Sequence, residues 1–222
     1  CGWSWGYHDT ITRDNLIENN RIHHIGQGVL SDMGGIYLLG VQPGTVVRGN
    51  HIFAVESAAY GGWGIYPDEG SSHLLIEHNW VHDTQGAAFH IHYGREIVVR
   101  DNVFAATRLE GLIKISKAEG HIAANLMHNV LMGPAPALFQ GGYAGDLRTA
   151  FRSDANLIAF PPHSVPPCRH PEYRKDVPSV IPWTEWQSLG QDRHSRIADA
   201  GTRLDRRRQT LRFPPGSPAL KI

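Results

Sequence analysis

The sequence predicts an all-β protein: a right-handed parallel β-helix solenoid with an irregular C-terminal capping segment. Three observations lead there. The pattern apolar-x-x-Asn-x-apolar recurs as IENNRI (17–22), VRGNHI (47–52), IEHNWV (76–81) and VRDNVF (99–104), with a weaker copy, LMHNVL (126–131). It places Asn20, Asn50, Asn79, Asn102 and Asn129 at intervals of 30, 29, 23 and 27 residues. Glycine (24 residues), asparagine, histidine and β-branched residues are plentiful, while long Ala/Leu/Glu/Lys stretches are missing. After about residue 160 the repeat gives way to proline-rich sequence.

A coil of this length with two or three short strands cannot bury its apolar face alone, so coils must stack. The asparagine suits a tight turn, where left-handed geometry is tolerated, and stacked asparagines can hydrogen-bond along the turn as a ladder. A leucine-rich repeat would need a leucine scaffold that is missing. A propeller needs four-stranded blades of about 40 residues.

Taken in order, ITRDNL (11–16) either begins the array or belongs to its first copy. Between the asparagines each unit carries a second strand, GGIYLLG, WGIYPDEG, AAFHIHYG or GLIKISKAEG, and restarts at Gly40, Gly70, Gly94 or Gly120. Residues 1–160 therefore read as coils. Segment 161–182 holds too many prolines for regular strand. WTEWQSL (183–189) predicts a short amphipathic helix with Thr184 as N-cap. LRFPPGSPALKI predicts a last edge strand and a turn. Residues 161–222 thus read as the cover an exposed solenoid end requires.

The 222-residue chain has a formal net charge of zero and a pI near 7.4, which removes the electrostatic case for nucleic acid or an anionic membrane surface. No apolar run approaches the roughly 20 residues of a membrane span. Cys1 and Cys168 could bridge, but two cysteines make no framework. The chain starts at Cys1 and runs straight into patterned sequence, so it reads as part of a longer or processed protein.

Alternation along the second strands puts Ile36, Ile65, Ile91 and Ile113 inward. Tyr37, Tyr66, His90, His92, Lys114 and Ser116 then point outward in a stack, with Trp3, Trp5, Tyr7 and His8 on the preceding coil. An idle outward face would carry Thr, Lys, Glu and Ser. This one is aromatic and histidine-rich, flanked by Asp32 in SDMGG and by Asp68–Glu69 in GGWGIYPDEGSS. Gly61, Gly62, Gly64 and Gly70 would let the backbone turn sharply and approach a ligand closely.

Aromatic faces and paired carboxylates are what glycoside hydrolysis requires: rings stack on sugars, one acid protonates the leaving oxygen, the other activates water or attacks. Asp32 and Asp68 are the candidate catalytic pair; Trp5, Tyr37, Trp63, Tyr66, Glu69, His90, His92 and Lys114 are candidate substrate-binding residues. Plainer roles compete. Asp68 could be turn chemistry, Asp32 could cap the Gly34–Gly35 bend, and Tyr37 and Tyr66 could be an ordinary aromatic stack. His90 and His92 form a H-x-H pair that can bind metal, but no third ligand follows at suitable spacing. No metal and no cofactor is expected. His23–His24 reads as turn polarity.

On IHHIGQGVLSDMGGIYLLGVQPGTVVRGNHI (22–52), YGGWGIYPDEGSSHLLIEHNWVHDT (60–84) and FHIHYGREIVVRDNVF (89–104), the chain resembles the pectin-lyase-like β-helix proteins. It is most similar to glycoside hydrolase family 141, whose members include an α-L-fucosidase and a xylanase. EWQSLGQDRHSRIADA (185–200) and GSPAL (216–220) resemble the closing segment of such proteins, although ADA stands where they often carry Asp-Pro. The resemblance implies the C-terminal portion of a secreted or periplasmic enzyme, with Asp32 and Asp68 on successive coils as the catalytic pair.

The leading expectation is therefore a glycoside hydrolase acting on a polysaccharide or complex glycan. A polysaccharide lyase on the same fold would draw on Lys114, Lys117, Arg95 and His92 for base and charge neutralisation. A non-catalytic carbohydrate-binding solenoid is the third reading.

Overall fold

The computed structural model describes residues 1–160, 165–205 and 208–221. It is a parallel β-solenoid of about six turns, and each coil contributes to three faces. The first face stacks Leu16–Glu18, Val46–Arg48, Leu75–Glu77, Ile97–Arg100, Ala124–Met127 and Phe151–Asp154. The second runs from Arg21–Ile25 through His51–Val55, Trp80–Thr84, Val103–Thr107, Val130–Met132 and Leu157–Ala159 to Arg196–Ile197. The third stacks Gly34–Leu38, Trp63–Pro67, Phe89–Ile91, Ile113–Lys117, Phe139–Ala144 and Cys168–Arg169, and is closed by antiparallel Val180–Ile181.

Inward residues lie one above another. Val47, Ile76, Val99 and Leu126 are paired in sequence along the first face, Ile52, Val81, Phe104, Leu131 and Ile158 along the second, and Ile36, Ile65, Phe89, Ile113 and Phe139 along the third. These columns form one continuous core, the burial no single coil could achieve.

The corner between the first two faces is held by asparagine. Asn50 directs both its backbone N–H and its side-chain amide to Oδ1 of Asn79, at 3.0 and 2.9 Å. Asn79 does the same to Asn102, Asn102 to Asn129, and Asn129 to Asn156. Asn156 is a sixth copy, hidden in SDANLI because Ser153 occupies the expected apolar position. The left-handed residue at each corner is the one before the asparagine: Asn19, Gly49, His78, Asp101, His128 and Ala155 have φ of 54–63°. The reason is geometric. The preceding residue makes the turn, which leaves the asparagine side chain directed along the stack. Asn15 belongs to the first coil at a different corner, where its amide bonds Thr45 Oγ1 at 3.1 Å.

Of the C-terminal segment, residues 161–164, 206–207 and 222 lie outside the described residues. The helix spans Trp183–Ser188, and its N-cap is Pro182 rather than Thr184. The extended backbone of Pro182 starts the turn, and its carbonyl accepts from Trp186 N at 2.9 Å. Thr210–Arg212 pairs antiparallel with Arg203–Asp205 instead of extending a solenoid face. Trp186 is buried against Phe139, ring centroids 4.8 Å apart. Cys1 is exposed and Cys168 buried, and both are free thiols.

Residues 1–7 cross the coils along the solenoid axis. The Cys1 carbonyl accepts from Leu39 N at 3.1 Å, and Tyr7 donates to Glu119 and lies 4.8 Å beneath the Arg95 guanidinium. This strap explains a glycine. A Cβ on Gly70 would lie 2.0 Å from the Gly6 carbonyl oxygen. Gly64 has a different close neighbour, since its Cβ would meet Val81 and the Ala88 carbonyl at 2.2 and 2.4 Å. The close approaches expected at these two glycines are thus to the protein's own chain rather than to a ligand.

Asn79→Ala removes side-chain bonds to Asn50, Asn102, Val47 and Glu77 at a buried corner. Each buried group left unsatisfied costs about 1–3 kcal/mol, so a total loss of roughly 3 kcal/mol or more is expected in denaturant unfolding. Asn20→Ala, at the exposed first coil, should cost less than about 1 kcal/mol.

Candidate active site

The third face carries the site because its register sets outward side chains one above another. Tyr37 pairs with Tyr66, and His90 with Lys114. Tyr66 stacks on the His90 imidazole with centroids 4.8 Å apart and ring planes within 4°. Trp63 packs against both, at 4.4 and 4.1 Å. A groove of about 770 Å³ opens over this stack. Every candidate site residue lines it: Asp32, Asp68, Trp5, Tyr37, Trp63, Tyr66, Glu69, His90, His92 and Lys114. Trp3, Tyr60, Ser116 and Tyr143 complete most of the wall.

The outward face is less open than strand alternation alone implies. Tyr66 is 2% and His90 1% exposed, because Trp63 and Tyr37 cover them. Burial, with the charge of Lys114 added, holds the His90 imidazole well below its ordinary pKa, so it is neutral. His90 Nε2 lies 2.7 Å from Ser116 Oγ.

Asp68 directly follows the strand Trp63–Pro67 on the second coil of the site and is itself buried. It accepts from the Tyr37 hydroxyl at Oδ2 and from His92 Nδ1 at Oδ1, the latter at 2.9 Å. Burial pushes its carboxyl up, but the bonds from His92, Tyr37 and Tyr66 outweigh that and hold it below the usual aspartate value. Asp32, one coil earlier and in left-handed conformation at φ 53°, turns its carboxylate toward the same place. The Tyr66 hydroxyl donates to Asp32 Oδ1 at 3.4 Å and lies close to Asp68 as well. Two carboxylates thus flank one hydroxyl oxygen. Burial and these two acids together raise the Tyr66 pKa far above the ordinary phenol value.

The remaining polar groups are tied in pairs. Glu69 accepts from Tyr93 at 3.0 Å, and burial together with that bond pushes the Tyr93 phenol up to about 12. Lys114 is ion-paired with Glu110, whose other oxygen accepts from Trp63 Nε1 at 2.7 Å. Lys117 pairs with Glu119 at 3.0 Å, and neither Lys117 nor Arg95 lines the groove. His90 and His92 point to different partners. Among the described residues the group of three potential metal-binding side chains is Glu77, His78 and Asp101, away from the groove and ion-paired by Arg100. Three groove residues escaped sequence reasoning, Met33, Tyr60 and Tyr143, as did Glu110, which lies behind the wall and holds Trp63 and Lys114. Only Tyr143, in FQGGYAG, had a signal, since its glycines mark another unit of the repeat.

Residues 6–125, more than half of the chain, match the family described as the right-handed β-helix region. The chain belongs to that family, whose domains are found in pectate lyases and glycoside hydrolases. No curated protein and no solved structure gives a significant match. No helix among the described residues is long and apolar enough to cross a membrane.

A depressed carboxyl contributes stability that is present above the unfolded-state pKa, about 3.9 for aspartate, and is lost as pH falls through the folded value. Asp68→Asn should therefore lower stability near neutrality and flatten its decline toward acid. Urea unfolding followed between pH 7 and pH 3 measures this. An unchanged acid limb would show that these neighbours do not hold Asp68 ionised.

Proposed function

We infer that the groove is the active site of a glycoside hydrolase acting on a polysaccharide or complex glycan, fucosidase- or xylanase-like. The observation that carries this reading is the pair Asp32 and Asp68, flanking the Tyr66 hydroxyl on an aromatic floor. Hydrolysis of a glycosidic bond needs one group that exchanges a proton with the leaving oxygen and a second, ionised, that supports attack. Asp68 is held ionised by its shell and takes the second role. Asp32, with fewer bonds to its carboxylate, takes the first. Trp3, Trp5 and Tyr60 expose ring faces at the groove, which suits stacking on the C–H faces of sugars. Trp63, Tyr66 and His90 form the rigid floor. Tyr37, Glu69 and Lys114 supply the polar contacts, while His92 holds Asp68.

The charge balance favours a neutral sugar. Asp32, Asp68 and Glu69 face the groove, while its one lysine is paired with Glu110. A uronate carboxylate would meet acids there rather than a free cation, which speaks against β-elimination.

Asp32→Ala and Asp68→Ala should each lower turnover of neutral oligosaccharides by about 10²-fold or more, with folding intact by circular dichroism. The assay is reducing-end release. Full activity in both variants, or formation of an unsaturated uronate in place of a hydrolysed product, rejects the reading. Trp5→Ala should raise KM with little change in kcat.

A further inference from the structure

Asp68 is the acid at the centre of the groove, yet both of its oxygens are occupied: Oδ2 by Tyr37 and Oδ1 by His92. An ionised carboxylate can only accept, so the hydrogen of that second bond belongs to His92 Nδ1. Nε2 is then the accepting nitrogen, and 2.8 Å from it lies the Tyr143 hydroxyl. Tyr143 is 54% exposed and stands at the groove wall, on the coil three beyond Asp68's own and two beyond that of His92. Three residues from three coils thus form one directed chain, hydroxyl to imidazole to carboxylate, running from the open groove to a buried charge. The arrangement has the logic of a serine–histidine–aspartate triad with a phenol at its outer end.

We propose that Tyr143, His92 and Asp68 form a proton relay in which Tyr143 is the catalytic base toward water, and that the protein cleaves its glycoside by single displacement with inversion. The relay itself rests on the hydrogen-bond chain; its use in catalysis rests on the hydrolase reading above. Asp68 is buried and both of its oxygens already accept hydrogen bonds from Tyr37 and His92, so in this proposal water, activated by Tyr143, is the attacking group rather than the carboxylate. In the reactive form Asp32 carries a proton. Water oxygen bonds the anomeric carbon as its proton passes to the Tyr143 oxygen, and the Tyr143 proton moves to His92 Nε2. The imidazolium formed sits against the Asp68 carboxylate. The glycosidic C–O bond breaks with its electron pair going to the leaving oxygen, which takes the Asp32 proton. Loss of a proton from His92 to solvent and uptake of one by Asp32 restore the starting state. His92 and Asp68 act here as positioning residues; Tyr143 touches the water.

The test has two arms. In protein labelled with ¹³Cζ-tyrosine, the Tyr143 resonance is identified by its loss in Tyr143→Phe. The relay requires that resonance to move in His92→Phe and also in Asp68→Asn, although Tyr143 and Asp68 do not touch, and to stay in place in Asp32→Asn, outside the chain. A Tyr143 signal indifferent to Asp68→Asn overturns the relay. The second arm uses 4-nitrophenyl α-L-fucoside and xylohexaose as probes. Tyr143→Phe should lower kcat about 10²-fold with KM held within about threefold, and ¹H NMR of the first-formed product should show the inverted anomer. Retention of configuration overturns the proposal and leaves the hydrolase reading standing. Absence of hydrolysis of both probes counts against the hydrolase reading, and the tyrosine resonance then decides the relay alone.

Discussion

The asparagine ladder is the constraint on which the rest of this molecule depends. Each buried rung uses one side chain to satisfy a backbone N–H and an amide of the neighbouring coil, groups that would be costly to leave unpaired. Because the bond pattern repeats at every corner, the register of the coils is fixed there. A slip of one residue in a strand would exchange its inner and outer faces. The ladder does not end on an open amide. Asn156 Nδ2 donates to buried Asp192, which also accepts from Ser153, Ser195 and Trp186. The C-terminal segment therefore continues the polar column as well as covering the apolar one.

From that fixed register the site follows. Asp32, Asp68, His92 and Tyr143 come from four coils and share one groove. None is adjacent to another in sequence. The aromatic stack beneath them is rigid for a physical reason: Tyr66, Trp63 and His90 are buried against one another, and Trp63 is further pinned by Glu110. Glu110 in turn neutralises Lys114. The floor is thus electrically quiet, and the acids at its edge dominate the local field.

Much of this was legible in the sequence. The five asparagines and the tyrosine–histidine stripe announced both the stacking and its outward face, because solenoid register turns spacing along the chain into proximity in space. What escaped did so for identifiable reasons. Asn156 was masked by Ser153, which points inward to meet Asp192 rather than to fill an apolar core. The left-handed position fell one residue before each asparagine, a distinction no single-letter pattern makes. Burial of Tyr66 and His90 depends on how large neighbours fold over the strand, and the strap that demands Gly70 lies 64 residues away from it. Tyr143 lay beyond the clearest part of the repeat, so its bond to His92 needed coordinates.

The strap has a consequence for how this architecture can vary. Residues 1–7 are fastened at Leu39, at Gly70 and at Glu119, so one short stretch of polypeptide measures the height of several successive storeys. Loops that project sideways can lengthen without disturbing that measure. A whole storey added or deleted between Leu39 and Glu119 cannot, since it would carry Glu119 roughly 4.8 Å out of reach of Tyr7 or crowd it. Variation in this region is therefore steered toward the rims, where it reshapes the trough, and away from the count of storeys beneath it.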